Sequence, residues 1–149
     1  MAALDLQESL RACRAQHAKI RETLAMLPAS EPLDEESVIA QIHRLAAVLG
    51  AHLKVEDDYL YPILIANANA VLSKKARRYS THMGSIAGAF AEWRERWTQP
   101  GAIRSDPATF LDQWRALQTA LVMRMDSEDE DLYAIAELIV SSEGSQQPK

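Results

Sequence analysis

Four stretches of this chain repeat apolar residues at steps of three and four, and that period constrains the fold more than any other feature. The first runs Leu6, Leu10, Cys13, His17, Ile20, Leu24 and Leu27, and Pro28 and Pro32 close it. The second runs Val38, Ile42, Leu45, Leu49, His52, Glu56 and Tyr59, opened by Asp34-Glu35-Glu36 as cap and helix-start acids. It is predicted to end near Tyr61, because Pro62 disfavours helical geometry in the residue before it. After a connection around Asn67–Ser73, a third face reads Tyr79, His82, Ile86, Ala89, Phe90, Trp93 and Trp97, stopped by Pro100-Gly101. Ser105 or Asp106 with Pro107 opens the fourth: Phe110, Trp114, Leu117, Leu121, Arg124, Glu128, Leu132 and Ile135. Only 5 Gly and 6 Pro in 149 residues leave few turns and long elements. The expectation is an all-α fold, an up-down-up-down four-helix bundle over residues 1–140 with a polar tail at 141–149.

The second and fourth stretches are related. Glu56-Asp57-Asp58-Tyr59-Leu60-Tyr61 recurs as Glu128-Asp129-Glu130-Asp131-Leu132-Tyr133. Four residues before the first Glu stands His52, and four before the second stands Arg124. His17 leads the first hairpin and His82 holds the corresponding place in the second, which suggests two similar hairpins about a pseudo-twofold axis. Residues i and i+4 project from one helical face, so His52 and Glu56 can present a nitrogen and a carboxylate to one point. His17, His82 and Glu128 lie on the other inward stripes. Buried carboxylates are costly without a cation between them, and imidazole with carboxylate suits iron, manganese or zinc. His43, nine residues from His52, falls on the opposite side of its helix and reads as a surface residue.

His17, His52-Leu-Lys-Val-Glu56 with Leu60-Tyr61-Pro62, His82, and Glu128 with Leu132-Tyr133 resemble the hemerythrin-like (HHE cation-binding) family. The likeness extends from about Leu10 to Ile135. It implies two irons bridged by two carboxylates: His17 and His52 capping one, Glu56 and Glu128 bridging, His82 and the residue at 124 capping the other. It also implies dioxygen binding, sensing of oxygen or redox state, handling of nitric oxide or peroxide, or iron homeostasis.

Arg124 departs from that pattern. A guanidinium stays protonated and offers donors only, so it cannot ligate a metal, yet it fits between carboxylates. Three arrangements satisfy the charge. In the preferred one, a single metal is held by His17, His52 and Glu56, with or without Glu128, and Arg124 stands where the second ion would be. In the next, the core is metal-free and Arg124 bridges the glutamates. In the third, two metals remain and Arg124 swings outward.

The remaining features read more simply. Cys13 is the only cysteine, which excludes an intramolecular disulfide and assigns it to the core. Trp93, Trp97 and Trp114 are assigned to end-of-bundle core, and Tyr59, Tyr61 and Tyr133 to packing. Asp57, Asp58, Asp129, Glu130 and Asp131 read as a solvated outer face, and Lys74-Lys75-Ala76-Arg77-Arg78 as a solvated basic face. Gly84-Ser-Ile-Ala-Gly88 has the small-residue spacing of a close helix approach, a weak pointer to a homodimer. A net charge of −5 argues against nucleic acid, and the absence of a secretory leader or a long apolar run points to a cytoplasmic chain without a membrane partner. The expected function is a non-haem metal protein, of iron by ligand type, that binds or senses a diatomic gas or oxidant. A metal-free regulatory bundle with a protein partner, or a peroxide-handling enzyme, are the competing classes.

Overall fold

A computed structural model describes the backbone of residues 2–146 and the side chains of residues 6–142. Helix α1 is Ala2–Ala25 and α2 is Glu35–Val55. A single π turn, Glu56–Leu60, leads without a break into α3, Tyr61–Ile65. Helix α4 is Ala70–Trp97, α5 the short Ala102–Ser105, and α6 Pro107–Ser127. A second π turn, Glu128–Leu132, joins α6 to α7, Tyr133–Gln146. Four rods result, with no strand among the described residues: α1, α2–α3, α4 and α6–α7. Helix α1 packs on α2 and α7, and α4 on α3 and α6. Helix α7 runs past Val140 into the segment expected as a polar tail, and 147–149 lie outside the described residues.

The helix starts follow local chemistry. Asp34 accepts from the Ser37 N–H, Asn69 from Val71 and Leu72, and Asp106 from Thr109. Gly101, at φ 82, takes the left-handed conformation that reverses the chain after α4, which a side chain would oppose. Buried Glu35 does more than favour a helix start: its carboxylate accepts from the Gly101 and Arg104 backbone N–H groups and from the Arg104 guanidinium, tying α2 to this corner.

The second rod does not end at Tyr61. Across the π turn the Tyr61 N–H bonds the Glu56 carbonyl, five residues back, so the ladder is already widened where Pro62 lacks a donor. Proline is not the cause of the turn, since the second one is followed by Tyr133-Ala134. Each turn adds a residue to the repeat, and the buried stripe shifts accordingly. Leu60 and Tyr61 are buried where Tyr59 was expected, and Tyr59 is 61% exposed. Likewise Tyr133 and Ala136 are buried, and Ile135 only half-buried.

Two apolar clusters fill the bundle. One gathers Leu24, Ile42, Leu45, Phe90, Trp93 and Trp114. The other gathers Leu10, Cys13, Leu64, Leu72, Tyr133 and Ala136. Along α1 the first cluster gives way to the second at His17, along α2 at His52 and Glu56, and along α6 at Arg124 and Glu128. The buried polar side chains of the predicted site thus form one layer between the two apolar ones.

Candidate metal centre

Four of the predicted residues converge in that layer. His17, His52, Glu56 and Glu128 are each at most 2% exposed. The two imidazoles point their Nε2 atoms at each other across 3.0 Å. The Glu128 Oε1 stands 3.1 Å from the His17 Nε2, and the Glu56 Oε1 stands 3.0 Å from the His52 Nε2. Atoms bound about 2.1 Å from one cation at right angles stand about 3.0 Å apart, so this spacing fits a first coordination shell.

The outer partners of the histidines decide what those nitrogens offer. The His17 Nδ1 lies 2.8 Å from the Asp129 Oδ1, and a carboxylate accepts, so Nδ1 carries a proton. The His52 Nδ1 lies 2.7 Å from the Gln16 amide oxygen and donates to it. Burial, and then the neighbouring His17, push the His52 imidazole down to about 4, so its Nε2 is bare at neutral pH. With Glu56 ionised, as a bound cation would hold it, the two Nε2 and the two Oε1 atoms form one set of inward-facing lone pairs. The Glu56 Oε1 is buried and lacks a hydrogen-bond partner altogether. A cation placed there would be offered a lone pair by each of the four.

Asp129 is itself clamped. Arg21 donates to its Oδ2 at 2.9 Å, and Arg14 donates to its backbone carbonyl at 3.0 Å. It therefore does not belong to a solvated acidic face. Nor does Asp131, which takes Lys75 at 2.9 Å and the Tyr79 hydroxyl at 2.9 Å. Asp57, Asp58 and Glu130 are exposed, as expected. Cys13 is buried, with its thiol pushed up to about 12 by burial first and by Glu56 next.

The glutamates are held crosswise. The Tyr61 hydroxyl donates to the Glu128 Oε2 at 2.6 Å, and the Tyr133 hydroxyl to the Glu56 Oε2 at 3.1 Å. Each tyrosine stands five residues after one glutamate and serves the other, reached through the π turn. Packing alone therefore does not describe Tyr61 and Tyr133. Burial and the facing Glu128 carboxylate raise Glu56 well above the usual carboxylate range. Burial also opposes charge on Glu128, but its contacts with Glu56, His17 and Arg124 outweigh that and lower it to about 2.

The pseudo-twofold relation fails at the remaining two positions. His82 is exposed on α4, and Met83 takes the buried place next to it. The Arg124 side chain is 3% exposed and holds the space between. Its Nη2 donates to the Tyr79 carbonyl at 2.6 Å, to the Tyr61 hydroxyl at 2.7 Å, and to Glu128 at 3.4 Å. Its Nη1 donates to the His82 Nδ1 at 3.1 Å, and its plane lies over the Tyr79 ring. It touches one glutamate rather than bridging two, because Glu56 is taken by Tyr133. His82 stands behind the guanidinium, outside the group of His17, His52 and Glu128 whose ligand atoms lie within 4.8 Å of one another.

The hemerythrin HHE cation-binding domain matches residues 9–136 of this chain. The chain belongs to the hemerythrin HHE cation-binding family. Comparisons with curated proteins and with solved structures gave no match. The hemerythrin bundle is thus the fold, and His17, His52 and Glu128 form a buried group in it that could hold a cation. In this chain's own repeat, Arg124 holds the place that His52 holds in the first half. Sequence reasoning missed Gln16 and read Asp129 as a solvated acid, yet these two residues fix the two imidazoles. Each is adjacent in the chain to an inward residue, Gln16 to His17 and Asp129 to Glu128, and that adjacency was the only available signal. No described helix is long and apolar enough to cross a membrane.

Proposed function

We propose that this hemerythrin-family bundle holds one metal ion, iron, at His17, His52, Glu56 and Glu128, and binds or senses a diatomic gas or an oxidant there. The observation that carries this reading is the pair of Nε2 atoms 3.0 Å apart, each with its Nδ1 committed to an outer acceptor. Two imidazoles and two carboxylates make a donor set suited to iron. Bound non-haem iron supplies one-electron and dioxygen chemistry. The protein's part is to present two fixed imidazoles, to anchor each carboxylate by one phenol, and to exclude water with an apolar layer on either side. Arg124 provides, beside Glu128, the positive charge that a second ion would otherwise supply.

A metal-free regulatory bundle is the second reading, favoured by the close engagement of Arg124 with Tyr61 and Glu128. Metal content per chain, measured after expression with iron supplied, separates the two. We expect one iron in the wild type and an increase in Arg124→His. Two irons in the wild type would overturn the single-ion reading, and none would favour the metal-free one. An Arg124→His protein with no more metal than wild type would show that Arg124 is not what excludes the second ion.

A further inference from the structure

Between α4 and α6, lined on one side by Arg124, lies a cavity of about 500 Å³. That volume is within the range of small-molecule sites. Ile86, Ala120 and Met123 form its apolar wall, and Arg78, His82 and Arg124 supply its charged and polar groups. No aspartate or glutamate lines it, although the chain as a whole carries a net charge of −5. Arg78 is exposed, makes no hydrogen bond or ion pair among the described residues, and acts on Asp131 only at a distance. The His82 Nδ1 accepts from Arg124, so its proton is on Nε2, which is left as a donor. Met123 is 63% exposed, an unbranched thioether suited to covering a flat ring.

We infer that this cavity is a binding site for a small organic monocarboxylate with a flat apolar body, of the size class of benzoate. Its carboxylate pairs with Arg78 and the His82 Nε2–H, and its body lies on Ile86, Ala120 and Met123. Charge complementarity selects the anion, and the apolar wall selects an organic anion over an inorganic one. The site is distinct from the buried histidine–glutamate layer and does not depend on a metal there. Arg124 separates the two, touching His82 on one side and Glu128 on the other.

The test is calorimetric titration with benzoate and with benzyl alcohol, its neutral counterpart, on the protein as purified and after chelation. We expect one saturable benzoate site in both preparations and no saturable binding of benzyl alcohol. Arg78→Glu and Met123→Glu, both at exposed positions, should each weaken benzoate by at least about tenfold, the worth of one charge-assisted contact. Amide chemical-shift changes in the wild type should centre on Ile86, Ala120 and Met123. Absence of saturation, equal binding of benzyl alcohol, an Arg78→Glu protein that binds as wild type, or shift changes centred elsewhere would each overturn the site. So would concentration-dependent dimerisation abolished by Met123→Glu without benzoate binding, which would make the cavity an interface between copies.

Discussion

The tautomers of two histidines decide what the buried polar layer offers a ligand, and both are set by residues outside it. Asp129 accepts from the His17 Nδ1 while Arg14 and Arg21 hold it in place. Asp129→Asn retains the shape and loses the charge, and such outer partners typically govern affinity by one to two orders of magnitude. We expect Asp129→Asn to weaken metal binding about 10- to 100-fold in competition with a chelator, with an unchanged far-ultraviolet spectrum. Unchanged affinity would assign Asp129 to surface ion pairing. A second prediction concerns His52, lowered to about 4 by burial and by His17. In the metal-free protein its ring resonances should titrate near pH 4 rather than near the ordinary value of about 6.5. The sign follows: between those limits only the unfolded chain takes the proton. This residue's contribution is therefore complete above pH 6.5 and is lost as pH falls toward 4. Raised Glu56 acts oppositely, favouring the folded state at low pH and losing that contribution as pH rises. Site-resolved NMR separates the two where a global unfolding curve cannot.

At the scale of elements, the two π turns explain both what the periodicity captured and where it slipped. Apolar steps of three and four describe α1, α2 and α6 well, because those segments are uninterrupted α-helix. Within the first π turn and beyond the second, the same count assigns Tyr59 and Ile135 to the interior, one or two places from the residues that are there. Pattern counting assumes one period, and a wide turn changes the phase without a compositional marker. The paired occurrence, each beginning at a glutamate of the layer, links the turn to the site: it brings Tyr61 and Tyr133 around to the opposite glutamates. Pro62→Ala should therefore leave the first π turn, the metal content and the Tyr61–Glu128 bond intact, since the second turn forms without proline. The expected stability change is within about 1 kcal/mol by chemical denaturation. Loss of metal in that variant would show that proline, not the tyrosine–glutamate exchange, sustains the turn. Helix α4 slipped for another reason: Leu72, Ala76, Met83 and Ile86 are its buried line, and His82 is adjacent to that line rather than on it.

Across the whole molecule, the polar layer joins α1, α2 and α6 where the two apolar clusters part. An ion bound to the folded state alone stabilises it by mass action, about 2.7 kcal/mol at a hundredfold excess over Kd. For a chain of this size that is a chelator-sensitive rise in Tm of roughly 5–10 °C. Thermal unfolding with and without chelator checks this. A Tm indifferent to chelator would instead describe a bundle stabilised by Arg124, Tyr61 and Glu128 without a metal. The Gly84 and Gly88 spacing plays no part in packing within the chain, because a Cβ at either position would meet nothing.

By itself the sequence determined the all-α bundle, the pairing of its two halves, and the inward convergence of His17, His52, Glu56 and Glu128. These are consequences of period and spacing, which act along a helix and can be counted. Tertiary structure alone decided the tautomers, the crossed tyrosine–glutamate bonds, and the place of Arg124 among Tyr61, Tyr79, His82 and Glu128. Those depend on which atoms of different rods meet within hydrogen-bond distance, and a shift of one residue or one turn is enough to change them. The replacement of histidine by arginine was visible in the sequence. That its guanidinium reaches Tyr61, Tyr79 and Glu128, with His82 exposed beside it, follows only from the packing of α4 against α6.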